Sequence, residues 1–350
     1  MATNHSGLKN ADERRQLFQA LPGKNLGALW EVYSNALTPE PVKREIPSVW
    51  RWQELRPLLY DAARLVPPEE AERRVLMLLN PGLPGLNAVT PTLYAGMQII
   101  LPGEVARSHR HTPNAIRFIV EGEGAFTAVN GEKTVMKPGD FVTTPTWVFH
   151  DHGNEGSEAV VWLDGLDMPL TTALSAIFYE RHRERQQPLD RPNDASIARY
   201  GRGFRPTWMT PPVHYSPVIN YRYEEARGTL AHLAETEAGS PFDGVMIEYI
   251  NPLTGGPALP TMDAHLQWIQ PGQQLKPHRH TGSTLYLGVE GRGVIEIDGQ
   301  EFPWEEHDVV VVPSWCTHRH QSIGPSPAIL FSLTDSPVLK AFSLYREEAQ

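Results

Sequence analysis

The chain has 350 residues, with 41 acidic against 31 basic ones and a formal charge of −10, a balance set against nucleic acid or an anionic membrane as its main partner. Cys316 is the only cysteine, which excludes an intrachain disulfide and fits a reducing cytoplasm. The opening stretch is charged where a secretory signal is apolar, and apolar runs such as VLMLL at 75–79 are too short to cross a bilayer.

Residues 1–66 read as a helical N-terminal arm. Helix-like spacing runs through 11–20, 25–37 and 47–66, with Trp50 and Trp52 expected to pack. The arm carries no motif of its own and is expected to wrap the first barrel or a neighbouring subunit. From residue 67 to 185 the pattern changes to short β-rich runs punctuated by Gly and Pro, the signature of a jelly-roll barrel. His109 and His111 lie two apart on one such run, so they share a face. Asn130-Gly131 signals a type I′ hairpin, after which His150 and His152 come back opposite them. Three imidazoles converging inside a small barrel point first to a metal site.

Residues 186–240, rich in Pro, Gly and charge, read as an extended linker. Residues 241–350 then repeat the barrel. TLYAGMQIILPG at 92–103 matches TMDAHLQWIQPG at 261–272, HRHT at 109–112 returns at 278–281, and Asn130-Gly131 becomes Asp298-Gly299. The second copy keeps three candidate ligands, His278, His280 and His318. It replaces Arg117 by Tyr286, Asp164 by Ser332 and Gly96 by His265. The first barrel thus has a cation to receive a carboxylate and an acid to receive a hydroxyl. Metal and catalysis are expected there, and the second barrel is expected to be structural.

The histidines sit in motifs that resemble those of the cupins: Gly103, His109, His111 and Gly122, then Gly139, Pro145, His150 and Asn154. The fold implied is mainly β, a bicupin of two tandem jelly-roll barrels behind a helical arm. Two positions depart from the motif. Trp147 stands where a glycine is usual, and the register of the usual glutamate ligand falls on Ala115, and on Thr284 in the second copy. A divalent metal on three neutral imidazoles would keep its charge and open positions, which an anionic chelating substrate and dioxygen would fill. Such sites suit non-haem Fe(II) oxygenases, although spacing alone also permits manganese or nickel.

LWEVYSNALTPEP, RRVLMLLNPG, SHRHTPNAIRFIVEG and PTWVFHDHGN together resemble the gentisate 1,2-dioxygenase family, which also includes salicylate and 1-hydroxy-2-naphthoate dioxygenases. That resemblance implies one Fe(II) per subunit in the first barrel, dioxygen, a homotetramer, and cleavage of gentisate to maleylpyruvate between its carboxyl-bearing and ortho-hydroxyl-bearing carbons. Salicylate or 1-hydroxy-2-naphthoate as substrate, or a non-catalytic ligand-binding bicupin, are the alternatives.

On this reading Arg117 pairs with the substrate carboxylate in a fork. Gln98 adds a hydrogen bond, and His152 accepts the phenolic proton or orients oxygen. Asp164 takes gentisate's 5-hydroxyl, and Trp147 walls the pocket. Tyr94 and Gly96 contact the ring, and Arg74 reaches in from the preceding strand, as Arg73 could. A tyrosine at 94 goes, by the same resemblance, with gentisate.

Overall fold

The computed structural model describes residues 5–211 and 214–349. Residues 1–42 form a unit of their own. Within it α1 (His5–Ala20) and α2 (Leu29–Ala36) are joined by a tight turn, Phe18 faces Trp30 at 6.5 Å, and Arg14 bonds Glu31 at 2.7 Å.

Residues 43–350 hold both barrels. In chain order they begin with β1 (Ser48–Trp50), α3 (Trp52–Leu65) and α4 (Pro68–Ala71). The first barrel follows: β2 (Arg74–Met77), β3 (Tyr94–Ile100), β4 (Val105–His111), β5 (Ala115–Glu121), β6 (Ala125–Val129), β7 (Glu132–Val135), β8 (Phe141–Thr144), β9 (His150–Asn154) and β10 (Val160–Leu166). Next come α5 (Met168–Ala173), β11 (Tyr179–Arg181), α6 (Ala195–Tyr200), β12 (Asn220–Tyr221) and α7 (Tyr223–Thr236). The second barrel comprises β13 (Val245–Glu248), β14 (Asp263–Ile269), β15 (His278–His280), β16 (Thr284–Glu290), β17 (Gly293–Ile297), β18 (Gln300–Trp304), β19 (Val309–Val312), β20 (His318–Ser322) and β21 (Ala328–Thr334), then α8 (Ser336–Ala341) and β22 (Glu347–Ala349).

The repeat seen in sequence is a repeat of sheets. A six-stranded sheet, β12-β8-β5-β10-β3-β2, closes against the five strands β11-β4-β9-β6-β7. Its counterparts, strand for strand, are β1-β19-β16-β21-β14-β13 and β22-β15-β20-β17-β18. The hairpin signals hold: Asn130 and Gly131 have φ of 49° and 80°, Asp298 and Gly299 of 47° and 80°, and each pair links two strands by a two-residue loop.

The large sheets bury both faces, which is why VVWLDGL and AIRFIVE read as apolar runs broken by single polar residues. One face of the first sheet (Ile100, Ile119, Val142, Trp162) fills that barrel. The other face (Met97, Phe118, Phe141, Leu163) joins Leu266, Leu285, Val309 and Phe331 in one core shared by the two barrels. Phe118 stacks on Phe331 at 4.2 Å, and a Cβ on Gly165 would run into the Leu333 side chain.

Two expectations change. The segment 186–240 is not simply extended, for α7 spans 14 of its residues, packs on β13 and β14, and buries Leu230. Its β12 supplies the outermost strand of the first large sheet. The arm touches the first barrel through α3, yet β1 pairs with β19 of the second barrel, Val49 opposite Val310.

Candidate active site

β4 and β9 pair with His109 opposite His150, and alternation puts His111 on the same face. The ring centroids of His109 and His150 are 4.3 Å apart, those of His111 and His150 4.8 Å, and those of His109 and His111 5.3 Å. One ring nitrogen from each lies within 4.8 Å of the others. The Nδ1 atoms of His111, His150 and His109 face the carbonyls of Pro113 at 2.8 Å, Val148 at 3.0 Å and Arg107 at 3.2 Å. A carbonyl only accepts, so at His111 and His150 these contacts place the ring proton on Nδ1 and leave Nε2 as a lone-pair donor, whereas His109 Nδ1 also faces the Arg73 guanidinium, which only donates.

Burial, with the neighbouring cations adding to it, holds His109 down to about 2, His111 to about 4 and His150 well below the ordinary range. All three are therefore neutral near pH 7, the form that ligates metal. Ala115 is buried in the register of the absent carboxylate. Three neutral nitrogen donors with open positions fit iron.

Beside the cluster, Arg117 on β5 stands opposite Asp164 on β10. Both are buried; Arg117 Nε lies 3.5 Å from Asp164 Oδ1, and Nη1 donates to Thr144 Oγ1 at 2.7 Å. Trp162 Nε1 donates to Asp164 at 3.0 Å. Burial pushes Asp164 up to about 6 even against Arg117, and lowers Arg117 to about 10. His152 is fully buried on the His150 face, 5.8 Å from the His150 and Trp162 rings. Neither of its ring nitrogens has a hydrogen-bond partner among the described residues. Tyr94, Gly96 and Gln98 alternate along β3 on the Asp164 side. Gly96 is required there, since a Cβ would meet Val75 Cγ1 at 2.6 Å and the Tyr94 hydroxyl at 3.0 Å.

Two expected pocket residues lie elsewhere. Arg74 sits opposite Ile99, on the outward face of β2, where it pairs with Glu104 and donates to Ala63 O at 2.8 Å. Arg73 is the arginine at the site: its Nη2 is 2.8 Å from His109 Nδ1. The alternation already contained this, because Val75 stands opposite Gln98 and Arg73 lies two residues before it. Trp147 does not wall the cavity. It is 37% exposed and covers Arg110 at 4.5 Å, the residue that points away between His109 and His111. Its φ of 58° explains the usual glycine, and Trp315 repeats both features with φ 62° and Arg279 at 4.4 Å. Trp147→Ala is expected to leave KM for the substrate within about twofold, as exposed substitutions are worth about 0.5 kcal/mol; steady-state kinetics checks this.

Thr144 and Trp162, which hold Arg117 and Asp164, carried no signal in the sequence; only strand register brings them there. In the second barrel His278, His280 and His318 also meet, but the two pairs that include His280 are 5.7 Å and 5.2 Å apart, wider than in the first barrel. His278 Nε2 lies 3.6 Å from Asp243, and Tyr286, in place of Arg117, packs on His320 at 4.7 Å. Glu248, Asp263 and His265 form a further cluster with ligand atoms within 4.8 Å of one another. Asp263 is pushed up to about 6 by burial.

The family model described as "Cupin domain" matches residues 96–166 and 265–334. A gentisate 1,2-dioxygenase from Aquipseudomonas alcaligenes is 40% identical, covering 96% of each chain. A 5-aminosalicylate 1,2-dioxygenase from Comamonas sp. is 36% identical over 95% of this chain and 89% of its own. The salicylate 1,2-dioxygenase of Pseudoaminobacter salicylatoxidans, solved as an adduct with gentisate, superposes with a TM-score of 0.91 at 32% identity, covering 97% of this chain and 94% of its own.

Proposed function

The chain belongs to the gentisate 1,2-dioxygenase family of ring-cleaving bicupin dioxygenases, and from that premise we propose that it opens gentisate to maleylpyruvate with Fe(II) held by His109, His111 and His150. The observation that carries this reading is the pairing of a carboxylate-free imidazole cluster with a buried Arg117–Asp164 couple in the same barrel. An anion that brings its own charge and a ring hydroxyl completes both halves.

Iron, when bound, supplies the redox chemistry that lets dioxygen react with an aromatic ring. The protein does the rest. Arg117 receives the carboxylate in its planar fork, and Gln98 adds a donor from β3. His152, neutral and with no hydrogen-bond partner among the described residues, accepts a hydrogen bond from the phenol or orients oxygen. Asp164 takes the 5-hydroxyl. Trp162 and Ile119 keep the inner wall dry, which strengthens each of these contacts. Tyr94 and Gly96 border the ring. The second barrel is read as structural. We read the assembly as a homotetramer in the cytoplasm, in keeping with the family and with a single buried thiol.

A second reading has one observation in its favour. Asp164 already has Arg117 as its partner, so a ring without a 5-hydroxyl leaves it no worse off. Salicylate or 1-hydroxy-2-naphthoate would then serve.

The test loads protein with Fe(II) without air, adds gentisate, salicylate or 1-hydroxy-2-naphthoate, and follows oxygen uptake on admitting air. Fast uptake with gentisate alone is expected. Equal rates with salicylate overturn the reading of Tyr94 and Asp164, and no uptake with any of the three overturns the function.

pH offers an independent check. Asp164 is neutral below about 6 and charged above it, while the buried imidazoles stay neutral throughout that window. Only the charged form keeps its ion pair with Arg117 while accepting hydrogen bonds from Trp162 and from the 5-hydroxyl. The preference for gentisate over salicylate is expected to shrink as pH falls from 7 to 5, and Asp164→Asn to remove that dependence. Ratios of kcat/KM across the range measure it.

A further inference from the structure

The two sheets of the first barrel are joined by no ladder among the described residues, and one seam between them runs along β2 and β11. The large sheet ends at β2 and the small one at β11, with no ladder between these edges. A cavity of about 330 Å³ opens there, lined by Arg73, Arg107, Arg185, Tyr179 and Glu72. Two of its lining residues reach the imidazole cluster: Arg73 Nη2 lies 2.8 Å from His109 Nδ1, and the Tyr179 ring 5.3 Å from the His109 ring. Glu72 and Arg181 form an exposed ion pair across the rim.

The three arginines of the cavity have no acidic partner among the described residues. Arg73 donates to Arg107 O at 3.3 Å, Arg107 to Arg183 O at 3.3 Å, and Arg185 to Val105 O at 3.5 Å. Neighbouring arginines are paired, Arg110 with Glu180 at 2.6 Å and Arg181 with Glu72. In a chain of charge −10, three unpaired guanidiniums on one opening reverse the local sign of the field. An anion drifting toward the protein is repelled on average and attracted here.

We propose that this seam is the path by which the anionic aromatic acid reaches the metal site, with Arg107 and Arg185 as steering residues at the rim and Arg73 as the inward relay. The inference rests on the function proposed above and adds the route and the residues that set the rate of capture. Arg107 and Arg185, at the rim, do not need to touch the ring during its cleavage, so their effect falls on capture and not on turnover.

The experiment measures kcat and kcat/KM for gentisate against sodium chloride concentration. It compares the iron-loaded wild type, Arg107→Gln/Arg185→Gln and Arg107→Glu/Arg185→Glu. Steering of this kind is worth about tenfold or more in rate at low salt. The glutamine pair is expected to lose about tenfold in kcat/KM at low salt with kcat unchanged, and to lose most of its salt response. The glutamate pair is expected to invert that response, so that salt raises kcat/KM. A wild-type salt slope retained in both variants overturns the seam, as does an equal loss in kcat and kcat/KM. Wild-type protein that consumes oxygen with none of the three aromatic acids overturns instead the function on which the seam rests.

Discussion

His111→Ala is expected to leave a folded protein that binds no iron at the first barrel and takes up no oxygen. Among the described residues His111 is one of only three donors in the cluster, and none of them brings a carboxylate into it. A metal contact is worth several kcal/mol and each 1.4 kcal/mol is tenfold, so affinity should fall by about a thousandfold or more. The ring is only partly buried and hydrogen-bonds one carbonyl, so the fold should lose little. Iron content after desalting, oxygen uptake and the melting temperature separate these effects. The matched His280→Ala, in the wider triad of the second barrel, is expected to leave turnover unchanged. Full iron content in His111→Ala would locate the functional ion outside the first barrel.

The second large effect is at Arg117, where stability and activity come apart. Arg117→Ala strands Asp164 as a buried acid without its cation, a change that costs about 3–5 kcal/mol. Arg117→Lys keeps the charge but cannot reach Thr144, Asp164 and a substrate carboxylate together. It is expected to stay folded and lose between about tenfold and a hundredfold in kcat/KM, the worth of one or two charged hydrogen bonds. Urea denaturation should show Arg117→Ala/Asp164→Asn more stable than Arg117→Ala alone, because the stranded charge is gone. If the double variant is no better, the pair is not coupled and its buried contact means little.

The parts of this molecule that are local or repeated were readable from its residues. HRHT, the Asn130-Gly131 turn and their second copies gave both barrels and the triad, because a two-residue period and a two-residue loop fix which side chains meet. The error at Arg74 arises because pairings between distant segments leave no mark on either. Arg73 and Arg74 are neighbours in sequence, and only the opposition of Val75 to Gln98 says which one enters the barrel. Trp147 was judged by its place in the motif, whereas a φ of 58° turns its ring outward onto Arg110. The helix at 223–236 was hidden by the Pro- and Gly-rich stretch before it. The substrate came from resemblance, not from spacing.

The exchange of edge strands has a consequence for how the molecule can be divided. Ser48–Trp50 closes the sheet of the far barrel, and Asn220–Tyr221 that of the near one. A cut anywhere in 186–240 therefore yields no self-sufficient half, since each fragment bares the apolar wall built around Phe118 and Phe331. The arrangement is that of two copies of one barrel packed wall to wall within a single polypeptide. The present chain should accordingly melt its barrels together, leaving one copy free to lose the Arg117–Asp164 couple while still holding the other in shape.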